Sequence, residues 1–187
     1  MSNFENIIQD KLLLRIYLFS MKTIEIKIDN NVDNLVESHI DLICTEKIDR
    51  LKTIVGQSLV EITLIDKGIY KTLIAKFEWK EENLLNVSDF HFVPESDMLF
   101  FRSTNQWGVI DIAQKRLIRH ESSLWSPLIE RKNGYILIID DLNAESTQLD
   151  GRRIDHVPID PPTESNEFDD RIEFMSPVYG LQILKIK

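Results

Sequence analysis

The residues best equipped for chemistry are carboxylates, and they are crowded. Asp140, Asp141, Glu145, Asp150, Asp155, Asp160, Glu164, Glu167, Asp169, Asp170 and Glu173 fall in one segment. Arg152, Arg153 and Arg171 are its cations, so the segment carries −8 of the chain's −9. Concentrated negative charge suits a basic partner and speeds its association. The same charge repels nucleic acid and anionic lipid, so neither is expected as a partner. A carboxylate pair is also what glycoside hydrolysis needs. That chemistry depends on placement, and abundance alone does not supply it. Calcium would take these acids as ligands, but the DxDxDG loop pattern is absent.

Other chemistries find less material. The four histidines are His39, His91, His120 and His156. No HExxH, CxxC or paired-histidine spacing occurs, so no zinc site is expected. His120-Glu121 and Asp155-His156 are adjacent pairs. Neighbours on a strand point to opposite faces, so neither forms a dyad. The single cysteine, Cys44, lies on an apolar stripe and reads as a small core residue. There is no GxSxG elbow, and six glycines offer little for a phosphate-binding loop. No catalytic residue, cofactor or metal is therefore expected. Trp107 and Trp125 remain as candidate anchors, because tryptophan is common at the centre of protein interfaces. The competing reading for both is core.

These side chains need elements to hold them. Ile24, Ile26 and Ile28 alternate with Thr23, Glu25 and Lys27, which predicts a strand. Val32, Leu35, Val36, His39, Ile40, Ile43, Cys44, Ile48, Leu51 and Val55 recur at gaps of mostly three and four. That spacing predicts one helix over residues 31–55, closed by Gly56. Residues 59–65 and 69–79 then read as a hairpin about Asp66-Lys67-Gly68. Residues 158–170, with Pro158, Pro161 and Pro162, read as a polar surface loop.

The last hundred residues repeat. A shift of 37 positions lays Leu99-Phe100-Phe101 on Ile136-Leu137-Ile138, and Lys115-Arg116-Leu117 on Arg152-Arg153-Ile154. Each unit reads as four short strands, and a third, degenerate unit begins at Ile172. Gln106-Trp107-Gly108-Val109-Ile110-Asp111, followed by Lys115-Arg116-Leu117-Ile118, resembles the WG-type repeat of β-rich bacterial proteins and a β-propeller blade. The resemblance covers residues 97–120 well. To residue 158 it continues only as hydrophobic pattern, with Ala144 and Glu145 standing where the first unit has Trp-Gly. Two and a half units cannot close a ring. The resemblance implies a meander that curls or folds over the N-terminal helix.

Length and composition bound the rest. A chain of 187 residues, 43% apolar and 28% charged, is globular and holds one large domain or two small ones. One cysteine forms no internal disulfide and suits a reducing compartment, so a cytoplasmic location is expected. Leu12–Phe19 is too short to span a bilayer and lacks the signal-peptide pattern. Residues 1–20 read either as an upstream extension ahead of a natural start at Met21, or as an ordinary N-terminal element. Together these readings predict an α+β protein, mostly antiparallel meander with one long N-terminal helix. It forms a single domain over 21–187, comprising strand, helix and hairpin (21–87) and repeated meander (88–187).

The leading functional expectation is a non-enzymatic module that binds a basic protein, such as a bacterial immunity or inhibitor protein neutralising a basic toxin. Its expected contact residues are Asp140, Asp141, Glu145, Asp155, Asp160, Glu164, Glu167, Asp169, Asp170, Trp107 and Trp125. The alternatives are a carboxylate-dependent hydrolase acting on a polar substrate such as a glycan and a structural WG-like repeat scaffold.

Overall fold

The structure, a computed structural model, describes residues 22–30, 39–47, 53–80, 84–123 and 125–187. The described residues form strands β1 (Thr23–Asp29), β2 (Leu42–Thr45), β3 (Gly56–Asp66) and β4 (Ile69–Trp79). A 3-10 turn at Val87–Asp89 precedes β5 (Phe90–Val93), β6 (Met98–Arg102), β7 (Gln106–Asp111) and β8 (Arg116–Ser122). Then follow β9 (Leu128–Arg131), β10 (Ile136–Asp140), β11 (Asn143–Thr147) and β12 (Arg153–Pro158). The last strands are β13 (Glu164–Glu167), β14 (Arg171–Ser176) and β15 (Gly180–Lys185).

These strands make four sheets. Sheet A has the order β1-β3-β4-β2, with β2 parallel to β4 and the other pairs antiparallel. Sheets B (β5-β6-β7-β8) and C (β9-β10-β11-β12) are antiparallel meanders of four strands, as expected for a blade-like unit. Sheet D (β13-β14-β15) has three.

The α+β expectation is wrong: this is a β fold, and among the described residues only the 3-10 turn at Val87–Asp89 and the 3-10 residue His39 are helical. Residues 31–38 and 48–52 of the expected helix, and the segment 1–21, lie outside the described residues. Within 39–47, however, Leu42–Thr45 is extended and pairs with Ala75–Glu78 of β4. Leu42 and Cys44 face the core while Ile43 is exposed, which is period two. The gaps of three and four misled because this stretch is short and rich in β-branched residues, which favour a strand when a sheet edge is available. His39, assigned to the helix's apolar stripe, is exposed. Burial pushes the Cys44 thiol up to about 12, so it is an inert core group. The loop expected over 158–170 is interrupted by β13.

Three apolar layers join the sheets in chain order. Val60, Ile62, Leu73 and Phe77 of sheet A pack on Phe90, Leu99, Phe101 and Ile110 of sheet B. Phe77 meets Phe101 edge to face, with ring centroids 4.9 Å apart. The other side of sheet B presents Met98, Phe100, Trp107 and Val109 to Ile129, Ile136 and Ile138 of sheet C. Sheet C in turn gives Tyr135, Leu137, Ala144 and Val157 to Ile172, Phe174 and Leu184 of sheet D. Successive strand residues point to opposite faces, so a strand covered on both sides favours apolar residues at every position, or polar ones that find partners, as Glu145, Ser146 and Thr147 of β11 do. That is why Met98-Leu99-Phe100-Phe101 and Ile136-Leu137-Ile138 are unbroken runs.

Gly108 explains the Trp-Gly pair. It sits opposite Phe101, and a Cβ there would come within 2.7 Å of the Phe101 ring and 2.5 Å of the Arg119 carbonyl oxygen. The pair thus sends a large side chain toward sheet C and leaves room for another toward sheet A. Phe100 and Phe101 serve different layers, so Phe100→Ala and Phe101→Ala should each cost about 3–5 kcal/mol in denaturant unfolding. A near-neutral result for either would mean that one face of β6 is not packed.

Candidate functional site

Two regions hold the expected site residues. The first is a cleft of about 190 Å³ between sheets B and C, lined by Trp107, Arg119, Glu121, Asp140, Asn143, Glu145, Arg153 and His156. The repeat creates it. Glu145 occupies the position equivalent to Gly108, shifted by 37, and reaches from β11 back toward sheet B. It is 5% exposed. Arg119 of β8 grips it with both terminal nitrogens, Nη2 at 3.2 Å, and Arg153 Nε donates at 2.7 Å. Burial alone would lower the Arg119 pKa, but Glu145 outweighs it and holds the guanidinium more firmly charged. The same guanidinium lies 4.7 Å over the Trp107 ring. Trp107 is only 3% exposed. Trp107 and Glu145 are therefore interior parts of this layer, not open surface.

Asp140 stands at the mouth of the cleft. Burial first, and then the charge of Asp141, raise its pKa, against the hydroxyl of Ser123, which donates to Oδ1. The Ser123 hydroxyl also lies against the Trp125 carbonyl oxygen, so its one proton serves two acceptors. Trp125 is 73% exposed beside this junction. Ser123 thus ties the Asp140 carboxyl to the backbone of the residue that carries this exposed indole. Arg119 and Arg153, which neutralise the cleft, were missed in the sequence because each is an ordinary polar residue of an edge strand. The register of β11 with β12 brings Arg153 to Glu145, and the packing of sheet B on sheet C brings Arg119.

The second region is sheet D. All four residues of β13 are exposed, including Glu164 and Glu167. Asp169 and Asp170 follow in the turn to β14, also exposed. Several acids of the sequence cluster have local cations. Asp150 pairs with Arg152, Asp170 and Glu173 pair with Arg171, and Glu167 pairs with Lys132. Glu167 also accepts from the Tyr135 hydroxyl at 2.9 Å. Asp155 accepts the Lys185 backbone N–H at 2.9 Å. Asp160, Glu164 and Asp169 make no ion pair among the described residues. No group of three metal-ligating side chains occurs among the described residues. No helix there is long and apolar enough to cross a membrane.

No family profile matches the chain, and no curated protein shows significant similarity to it. Solved structures do align. BamB from Moraxella catarrhalis matches at 11% identity and TM-score 0.31, over 66% of this chain and 38% of that one. The Pan2 WD40 domain of Neurospora crassa matches at 10% and 0.30, over 78% and 52%. The SCAP WD40 domain from fission yeast matches at 10% and 0.32, over 89% and 48%. The chain spans about half or less of the length of these structures. At such scores the β-sheet architecture described above rests on its own register and cores.

Removing Glu145 leaves two guanidinium groups facing a buried gap. Glu145→Ala should cost about 3–5 kcal/mol in chemical unfolding, as for one half of a buried ion pair. A loss under about 1 kcal/mol, the range of exposed pairs, would mean that the cleft is open to water.

On the opposite face of β8, His120 packs against Phe101 and pairs with Gln106. Burial, then Lys47, push it down to about 4 from 6.5. Protonation therefore favours the unfolded chain. Stability present above pH 6.5 should be lost as pH falls toward about 4, and His120→Gln should flatten that fall in pH-dependent melts. An unchanged slope would mean that His120 is solvated.

Proposed function

We propose that this chain is a non-enzymatic protein-binding module that docks a cationic protein against the acidic side of sheet D. The observation that carries this reading is the exposure of β13 along its whole length together with the unpaired carboxylates of Glu164 and Asp169. A carboxylate left without a local cation keeps its field for a partner. Asp160 extends the same surface, and Asp170 and Glu167 add charge that Arg171 and Lys132 offset in part. Asp140, Asp141 and the exposed Trp125 are proposed as a second acidic and aromatic contact. The concrete form is an inhibitor of the immunity type that neutralises a basic toxin in the bacterial cytoplasm. Such a task needs accessible negative charge, and the exposed carboxylates of β13 and the turn after it support it.

A lysine-rich peptide serves as the probe. Its binding should weaken by about tenfold or more between low and physiological salt, because the contacts are exposed and screened. Glu164→Lys with Asp169→Lys should slow association by a similar factor while leaving the melting temperature unchanged, since neither side chain is paired. Salt-independent capture, or full association by the doubly reversed variant, would overturn the reading.

A further inference from the structure

We infer that the open edge of β15 receives an extended cationic segment of the partner as a fourth strand of sheet D. This deepens the reading above and rests on it. Among the described residues, sheets A, B and C each have four strands and sheet D has three, ending on β15. The shift of 37 positions explains which place is open. Asn143, the start of β11, falls on Gly180, the start of β15. So β15 is the third strand of its unit, and among the described residues no strand takes the place that β12 fills in sheet C.

Hydrogen-bond parity shows which groups face that place. Ile186 N–H donates to the Asp170 carbonyl at 3.1 Å, and Ile172 stands opposite Leu184. Even-numbered residues of β15 therefore bond to β14, and odd-numbered ones turn N–H and C=O to the other edge. Lys185 bears this out: its N–H goes to Asp155 and its carbonyl accepts from Ser146 Oγ, both in sheet C. Those two side chains cap the edge at Lys185 and end it there. Leu181 and Ile183 are not capped in this way. The Leu181 carbonyl takes only the flexible Gln182 amide, at 3.2 Å. Exposed backbone of this kind is what strand addition uses.

The side chains specify the occupant. Leu181 and Ile183 are 52% and 47% exposed, and Met175 stands opposite Leu181 on the same outward face. Glu173 stands opposite Ile183, and Glu164 opposite Met175. An added strand with apolar residues outward would extend the Leu181 and Ile183 patch. Its alternate, inward residues would lie on the side where Asp155 reaches β15, and lysines there would meet that carboxylate. A second copy of this chain fits less well, because each copy carries −9 and repels the other.

The test uses the full chain and three probes: an alternating Lys-Val peptide, the same peptide N-methylated on alternate amides, and oligolysine of equal charge. Binding of the alternating peptide should slow amide exchange at Leu181 and Ile183 by about tenfold or more, and N-methylation should weaken it by about tenfold. Ile183→Pro should do the same to the alternating peptide and leave oligolysine binding unchanged. Its N–H faces away from β14, and proline is tolerated on such an edge. The N-methylated peptide keeps the test valid even if that variant misfolds. Equal binding of all three probes without protection of Leu181 and Ile183 would overturn strand addition and leave the acidic docking face standing. Binding of none would overturn both. Protection of those amides that rises with protein concentration and without peptide would overturn the proposal in favour of self-pairing.

Discussion

The constraint on which the molecule depends is burial of both faces of its two middle sheets. Strands β6 and β10 have no polar side to turn to water, so each must find an apolar neighbour in front and behind. Phe100 and Phe101 are adjacent in sequence yet fill different layers. Ile136 and Leu137 divide in the same way between sheets B and D. At about 25 cal/mol per Å² of apolar surface removed from water, a series of fully covered strands outweighs the modest net gain of individual surface ion pairs. Order along the stack follows chain order because sheets B, C and D are local meanders with short turns.

That stacking also sorts the charge. Carboxylates within the interlayer regions are tied down, as Glu145 is by Arg119 and Arg153. A buried carboxylate without such partners would cost far more than the pair yields. The untied ones are displaced to the last sheet, whose outer strand is exposed throughout. The acidic segment of the sequence is therefore not one surface. Part of it cements sheets B and C, part is neutralised in place, and the remainder lies on sheet D.

Much of this was legible from residue order. The repeat of 37 positions locates β6 with β10, β7 with β11 and β8 with β12, because a strand buried on two faces leaves an unbroken apolar run. The hairpin about Lys67-Gly68 was legible from its alternation and its turn, where both residues take positive φ. Leu42–Thr45 was not, since Ile43 and Cys44 match a helical spacing by chance, and the strand's parallel pairing with β4 is a long-range choice. β13 was not either, because Glu164-Ser165-Asn166-Glu167 has no apolar face to announce a strand. It is extended only because β14 offers it an edge. Local charge balance was likewise hidden. Tyr135 and Lys132 meet Glu167 across some thirty residues of sequence, a contact no local pattern encodes.

Native-state hydrogen exchange tests the layered arrangement most directly. The amides of β6, β7, β10 and β11 should open together, at the free energy of global unfolding, because neither middle sheet keeps a covered core without the other. Those of β13 and the outer edge of β15 should exchange well before them. Independent opening of β10 and β11 ahead of β6 and β7, or protection of β13 equal to theirs, would contradict a stack held together by two-faced burial.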